Sequence, residues 1–147
     1  MVCILRSAAM SGTIGMQGMY ANALAAFYLA TGQDVACVAE SAVGITRLDV
    51  APTGALYACV TMPNVVVATV GGGTGLPTQR AASRLLAHGD EPLTADALAE
   101  VVASIVLAGE ISLTASLCAH EFSAAHHRFA RAGAGVPACT DAAGASA

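Results

Sequence analysis

Lysine and tryptophan are absent from this sequence, and phenylalanine and tyrosine occur only three times each among 147 residues. The missing lysine bears first on the segment 67–79, "VATVGGGTGLPTQ", where a β-branched run breaks into three glycines. Consecutive glycines free backbone N–H groups to cradle an anion, but a P-loop needs Gly-Lys-Ser/Thr opening a helix, with the lysine on the β- and γ-phosphates. Here Gly75 is followed by Leu76, Pro77 and Thr78, which excludes that loop. The basic residues are Arg6, Arg47, Arg80, Arg84, Arg128 and Arg131, and the net charge is −4. Such scatter offers no stripe to track a phosphate backbone, so no nucleic-acid partner is expected.

Cysteine pairs at metal or redox spacing are missing too. Cys3, Cys37, Cys59, Cys118 and Cys139 are odd in number, far apart and form no CxxC. That argues against a disulfide framework and a zinc site, and no metal is expected. They read as small buried hydrophobes in a reducing cytosol. The N-terminal "MVCILRSAAMSG" lacks a charged region before its short apolar patch, so a secretory signal is not expected and a cytoplasmic location is. Residues 97–119 approach a membrane-spanning run, but Glu100 and Glu110 interrupt them. Fewer than the roughly 18 uninterrupted apolar residues of a spanning helix remain. The segment reads as a buried helix of a soluble protein, with no membrane partner.

What is present is small and apolar. The hydrophobic fraction is 56%, carried by Ala, Val, Leu and Ile, and the length suits one domain. Small side chains allow close backbone approach but leave few large anchors for an isolated monomer, so oligomerisation is expected. Along the chain, "YANALAAFYLATG" has helical spacing and should stop just before Gly32. "DVACVAE", "VGITRLDV", "GALYACVTMP" and "NVVVATVGG" read as four short strands. The turn at Ala51–Gly54 makes 44–50 and 55–62 an antiparallel hairpin. "PTQRAASRLLAHG" reads as a helix closed by Gly89, and Thr94 as the cap of a long helix running on to Arg131. The fold class is therefore α/β in the α+β sense. Residues 132–147, low in charge and bulk, are expected to be a disordered tail behind a domain spanning 1–131.

Polar residues in apolar settings are the candidates for chemistry: Asn22, Gln33, Asp34, Glu40, Glu110, His120, His126 and His127. Asp34 follows a helix stop at the head of an expected strand, where a carboxylate is either a turn former or a group poised for acid/base work. His126 and His127, near a helix end, are either solvated residues complementing the dipole or proton donors. Glu110 inside "LAGE" reads as a buried helix residue bonded to a neighbouring segment's backbone.

Three stretches carry a more specific signal: "NALAAFYLATGQD" (22–34), "ITRLDVAPTGALYACVTMPNVVVATVGGGTGLPTQ" (45–79) and "VVASIVLAGEISLTASLCAHEFSAAHH" (101–127). In order and approximate spacing they resemble the C-terminal part of the catalytic large domain of the hydroxymethylglutaryl-coenzyme A reductase family. The resemblance implies reduction of a coenzyme A thioester to mevalonate, in the isoprenoid precursor pathway, by two hydrides from NADP(H) or NAD(H). It places Asp34 on the family's catalytic aspartate. Counting without a gap from "LAGE" puts His126 on the histidine that protonates the departing thiolate, and Asn22 falls on a substrate-contacting asparagine. Gln33, Gly71 and Gly72 would lie beside the cofactor, the glycines as a backbone wall.

The family's lysine, its glutamate and its cofactor-carrying small domain match nothing in these residues. The resemblance therefore implies an acyl-coenzyme A or carrier-bound thioester as substrate and a complementing reductase subunit or second copy as partner. Two other readings remain open on the same residues: a repurposed, cofactor-free enzyme for a cyclisation or acid/base step, and a non-catalytic dimerising remnant. Met19 stands where the family commonly has histidine, and Ala125 where it has a serine before the catalytic histidine.

Overall fold

The computed structural model describes residues 10, 17–87 and 92–128. They fall into two units, one up to Thr114 and one from Ala115 onward. In the first unit, helix α1 (Tyr20–Thr31) buries Tyr20, Ala23, Leu24, Phe27, Tyr28 and Thr31, residues three and four apart that share one helix face. It stops where the sequence indicates: Gly32 takes φ 74°, and its N–H bonds to the Tyr28 carbonyl. A left-handed glycine is the low-cost way to turn the chain out of a helix.

Helix α4 (Ala95–Cys118) completes the core with Leu98, Val102, Val106 and Glu110, each four residues from the next. Thr94 opens it as expected, its Oγ1 accepting from the N–H of Ala97 at 3.1 Å. Glycines set the close approach of the two helices. A Cβ on Gly18 would overlap the Leu113 side chain, and one on Gly109 would lie 3.1 Å from the Cβ of Met19. By length and composition alone, α4 is long and apolar enough to cross a membrane. Its stripe from Leu98 to Val106 is spent on the core with α1.

The expected hairpin is present. Strands β1 (Ile45–Val50) and β2 (Leu56–Thr61) pair antiparallel, from Ile45 opposite Thr61 to Val50 opposite Leu56. Ala51 N–H bonds to Ala55 O at 2.8 Å, and Gly54, at φ 85°, closes the turn. Among the described residues the sheet has only these two strands, and with the helices they make an α+β fold.

Two of the four expected strands are not strands. Residues 34–40 form a 3₁₀ turn (Val35–Cys37) running into the short helix α2 (Val38–Ser41). Asp34 starts that turn by accepting the Ala36 N–H at 2.9 Å, and local capping overrides a weak β-branched signal. Residues 64–72 pass without any ladder. Side chains satisfy their backbone instead: Val66 N–H donates to Ser41 Oγ at 3.0 Å, Val66 O accepts from Tyr28 Oη at 2.7 Å, and Ala68 bonds both ways to the Gln33 amide. With those groups paired, no neighbouring strand is required.

Helix α3 (Pro77–Leu86) begins with proline in its first turn, where the missing N–H costs nothing. Its expected stop at Gly89 lies outside the described residues, as does the tail after Arg131. In the second unit the expected unbroken helix to Arg131 is corrected. The chain leaves α4 at Cys118 through His120, whose φ is 59°. Glu121 N–H reaches back to Ser116 O at 2.9 Å, the 6→1 bond of a left-handed helix cap. A short helix α5 (Phe122–His126) follows.

Candidate functional site

The words "GQD" and "GGGTG", which begin 39 positions apart in the chain at Gly32 and Gly71, meet at the C-terminus of α1. Gly73 N–H donates to Gly32 O at 3.0 Å. A Cβ on Gly32 would lie 2.7 Å from the Thr74 nitrogen, so only glycine lets the two turns touch. The next residue, Gln33, pairs its whole amide with Ala68: Nε2 donates to Ala68 O at 2.9 Å and Oε1 accepts from Ala68 N–H at 2.7 Å. Gln33 thus fixes the strand-like approach to the glycine turn as a second strand would. Asp34 follows, its carboxylate exposed and anchored through Oδ1 on Ala36 N–H. Four of the candidates, Gln33, Asp34, Gly71 and Gly72, therefore gather at one corner.

Gly71 and Gly72 adopt φ 100° and 55°, conformations that favour glycine. Space is open around them: a Cβ at Gly71 would meet nothing within 4 Å, and one at Gly72 only Gly32 O at 3.3 Å. The turn can accept the close approach of a ligand to its backbone. Beside it opens a cleft of about 610 Å³, walled by residues 68–72 with Thr74 and Gly75, by α3, and by Pro92, Leu93 and Leu98.

Asn22 is exposed on the first turn of α1. Nine residue steps of α1 separate it from Thr31, roughly 14 Å along the axis at about 1.5 Å per residue, and Asp34 lies beyond the cap. The structure does not bring these two together within one copy. His126 belongs to the second unit, exposed at the end of α5, with Nδ1 3.2 Å from Phe122 O and its ring 4.3 Å from that of Phe122. His127 is its exposed neighbour.

Support for the corner comes from residues the sequence did not single out. Ser41 is fully buried and bonds Tyr28 Oη at 2.9 Å, so α1, α2 and the approach to the glycine turn share one hydrogen-bond network. Burial pushes the Tyr28 phenol above its usual range, against the lowering effect of Ser41. A serine in an apolar run gives little signal of that role. Glu110, by contrast, was legible. It accepts from the N–H groups of Gly18 at 2.8 Å and Met19 at 2.6 Å and from Thr46 Oγ1 at 3.1 Å, which ties α4 to the start of α1 and to β1.

The stretches that build this corner fall within a match to a known family. Residues 2–131 match the family described as hydroxymethylglutaryl-coenzyme A reductase, and the chain belongs to that family. The 3-hydroxy-3-methylglutaryl-coenzyme A reductase of Pyrococcus horikoshii is 44% identical over 131 residues, covering 86% of this chain and 32% of the relative. That of Halobacterium salinarum is 48% identical over 126 residues, 83% of this chain and 31% of the relative. In Dictyostelium discoideum, reductase 1 is 42% identical over 135 residues, 87% and 24% respectively. The chain thus spans about a third or less of the length of the curated relatives it matches.

Proposed function

We propose that this chain supplies the aspartate, histidine and glycine-turn part of a reductase site that converts hydroxymethylglutaryl-coenzyme A to mevalonate with NADPH or NADH. The observation that supports it most is the corner where Gly32 and Gln33 bond to the glycine turn and its approach, with Asp34 next in the chain. When bound, the cofactor supplies a hydride to the thioester carbonyl carbon and a second to the aldehyde that follows. The residues here serve the protons. As the C–S bond breaks, the thiolate needs a proton donor, and His126 is the one the family register selects. Asp34 handles the proton at the carbonyl oxygen, and Asn22 holds the acyl portion.

The family's lysine, which would stabilise the developing oxyanion, has no counterpart among these residues, since the chain has no lysine. Such a cation is worth several kcal/mol of barrier, of order 3 kcal/mol for a single lost donor. It comes, with the family's glutamate and cofactor domain, from polypeptide beyond these 147 residues. Asn22 and Asp34 at opposite ends of α1 cannot both reach one small acyl group from one copy, so a second copy provides one of them. Co-assembly with a polypeptide carrying the missing parts should give thioester-dependent NADPH oxidation. Asp34→Asn and His126→Gln should each lower kcat by roughly 10²-fold or more, while His127→Gln leaves it nearly unchanged. Loss with His127→Gln but not with His126→Gln would move the register by one, and full activity in Asp34→Asn would remove the aspartate from the mechanism.

A further inference from the structure

Asp34, the acid/base residue of the reductase reading, sits on a segment with little apolar anchorage. Residues 32–41 leave the end of α1, form the 3₁₀ turn and finish α2, and among them only Ser41 is fully buried. Cys37 and Val38 pack partly against the core, while Asp34, Val35 and Ala36 are exposed. Something other than apolar burial has to fix the carboxylate.

Both ends of this segment close on one residue. At the start, the Tyr28 carbonyl accepts from the N–H groups of Gly32 and of Gln33, the latter at 2.9 Å. At the end, Ser41 Oγ lies 2.9 Å from the phenol oxygen of the same Tyr28, which is wholly buried. A carbonyl can only accept and the phenol has one proton to give, so Tyr28 donates to Val66 O at 2.7 Å and Ser41 donates to Tyr28 Oη. Ser41 Oγ in turn accepts from Val66 N–H at 3.0 Å, which closes a ring of three hydrogen bonds. Each hydroxyl both donates and accepts, an arrangement in which the bonds strengthen one another. Between the two ends, Asp34 takes the Ala36 N–H on Oδ1 at 2.9 Å and the Cys37 N–H on its carbonyl at 3.1 Å. A shift of Asp34 therefore has to stretch the turn or open the ring.

We propose that Ser41 and Tyr28 are positioning residues for Asp34: their buried hydroxyls lock the far end of its segment and so set where the carboxylate meets the thioester's carbonyl oxygen. The role rests on the reductase reading and adds to it the residues through which the fold holds the aspartate. A displacement of about 1 Å in a reacting group can cost about 10²-fold in rate.

Tyr28→Phe and Ser41→Ala each delete one hydroxyl and keep the rest of the side chain. In the full chain mixed with a polypeptide bearing the family's lysine, glutamate and cofactor domain, each should lower kcat about tenfold and leave KM for hydroxymethylglutaryl-coenzyme A unchanged. In an Asp34→Asn background neither should lower kcat further, because both act through that carboxylate. Val102→Ala, a core change in α4, controls for lost stability and should keep kcat near the wild-type value. On the chain alone, the amides of residues 34–41 should exchange with solvent faster in Tyr28→Phe and Ser41→Ala than in Val102→Ala. Either hydroxyl variant decides by itself once circular dichroism shows it folded. Wild-type kcat in the folded variants, losses that multiply with that of Asp34→Asn, or unchanged exchange would overturn the positioning role and leave the reductase reading standing. No turnover by the wild-type mixture would overturn that reading, and the role with it.

Discussion

Glu110 is 2% exposed in the middle of an apolar helix, and three hydrogen bonds explain how it can be there. Two come from backbone amides at the start of α1, where orphan N–H groups and the helix dipole favour a carboxylate. Glu110→Ala should destabilise the fold by about 2–4 kcal/mol, because the two amides and the Thr46 hydroxyl lose their acceptor; urea unfolding measures this, and a change below about 0.5 kcal/mol would contradict the role. Tyr20 extends the network to Thr46 at 3.1 Å. Burial, opposed by the Thr46 bond and reinforced by Glu110, raises the Tyr20 phenol, and burial raises Tyr28. Between the unfolded tyrosine value of about 10 and the raised folded values, the unfolded chain has released a proton that the folded chain keeps. Stability is therefore complete below that window and falls as pH rises through it. Thermal unfolding from pH 8 to 11 should show this decline, shallower in Tyr28→Phe. At this scale the sequence was informative wherever a polar residue interrupted an apolar run, as Glu110 does. It was silent on Ser41, whose significance lies in what folding sets across from it.

Elements behaved according to where their backbone hydrogen bonds could go. β1 and β2 had a turn to align them, so alternation and the glycine at 54 sufficed. "NVVVATVGG" carries a stronger β-branched signal, yet Gln33, Ser41 and Tyr28 take up its carbonyls and amides. No local pattern announces that side chains from a helix end will replace a strand. In the same way, capping by Asp34 turned "DVACVAE" into helical turns, and a left-handed His120 ended α4 where helical periodicity continues in the sequence. The contact of Gly32 with Gly73 is the hinge of the whole corner. Gly32→Ala should cost at least about 2 kcal/mol, combining a positive φ with overlap against the glycine turn, and should make the amides of residues 69–73 exchange faster with solvent. Unchanged stability and exchange would show that the two turns do not depend on each other.

At the scale of the molecule, family and fold class were readable because three motif-bearing stretches keep their order. The candidate site was not, since its parts come from distant segments and Asn22 lies at the opposite end of α1 from Asp34. The hairpin exposes Ile45, Val50, Leu56 and Tyr57 by more than half, a large apolar surface for a chain that spans about a third of its relatives. Such surface fits a piece that completes itself on another polypeptide. The central proposal is that these 147 residues supply the proton-handling Asp34 and His126 but not the family's lysine. The most direct measurement is NADPH absorbance with hydroxymethylglutaryl-coenzyme A, for the purified chain alone and after mixing with a polypeptide bearing the family's lysine, glutamate and cofactor domain. The account predicts no thioester-dependent oxidation by the chain alone and turnover in the mixture. Steady thioester-dependent oxidation by the chain alone would contradict it.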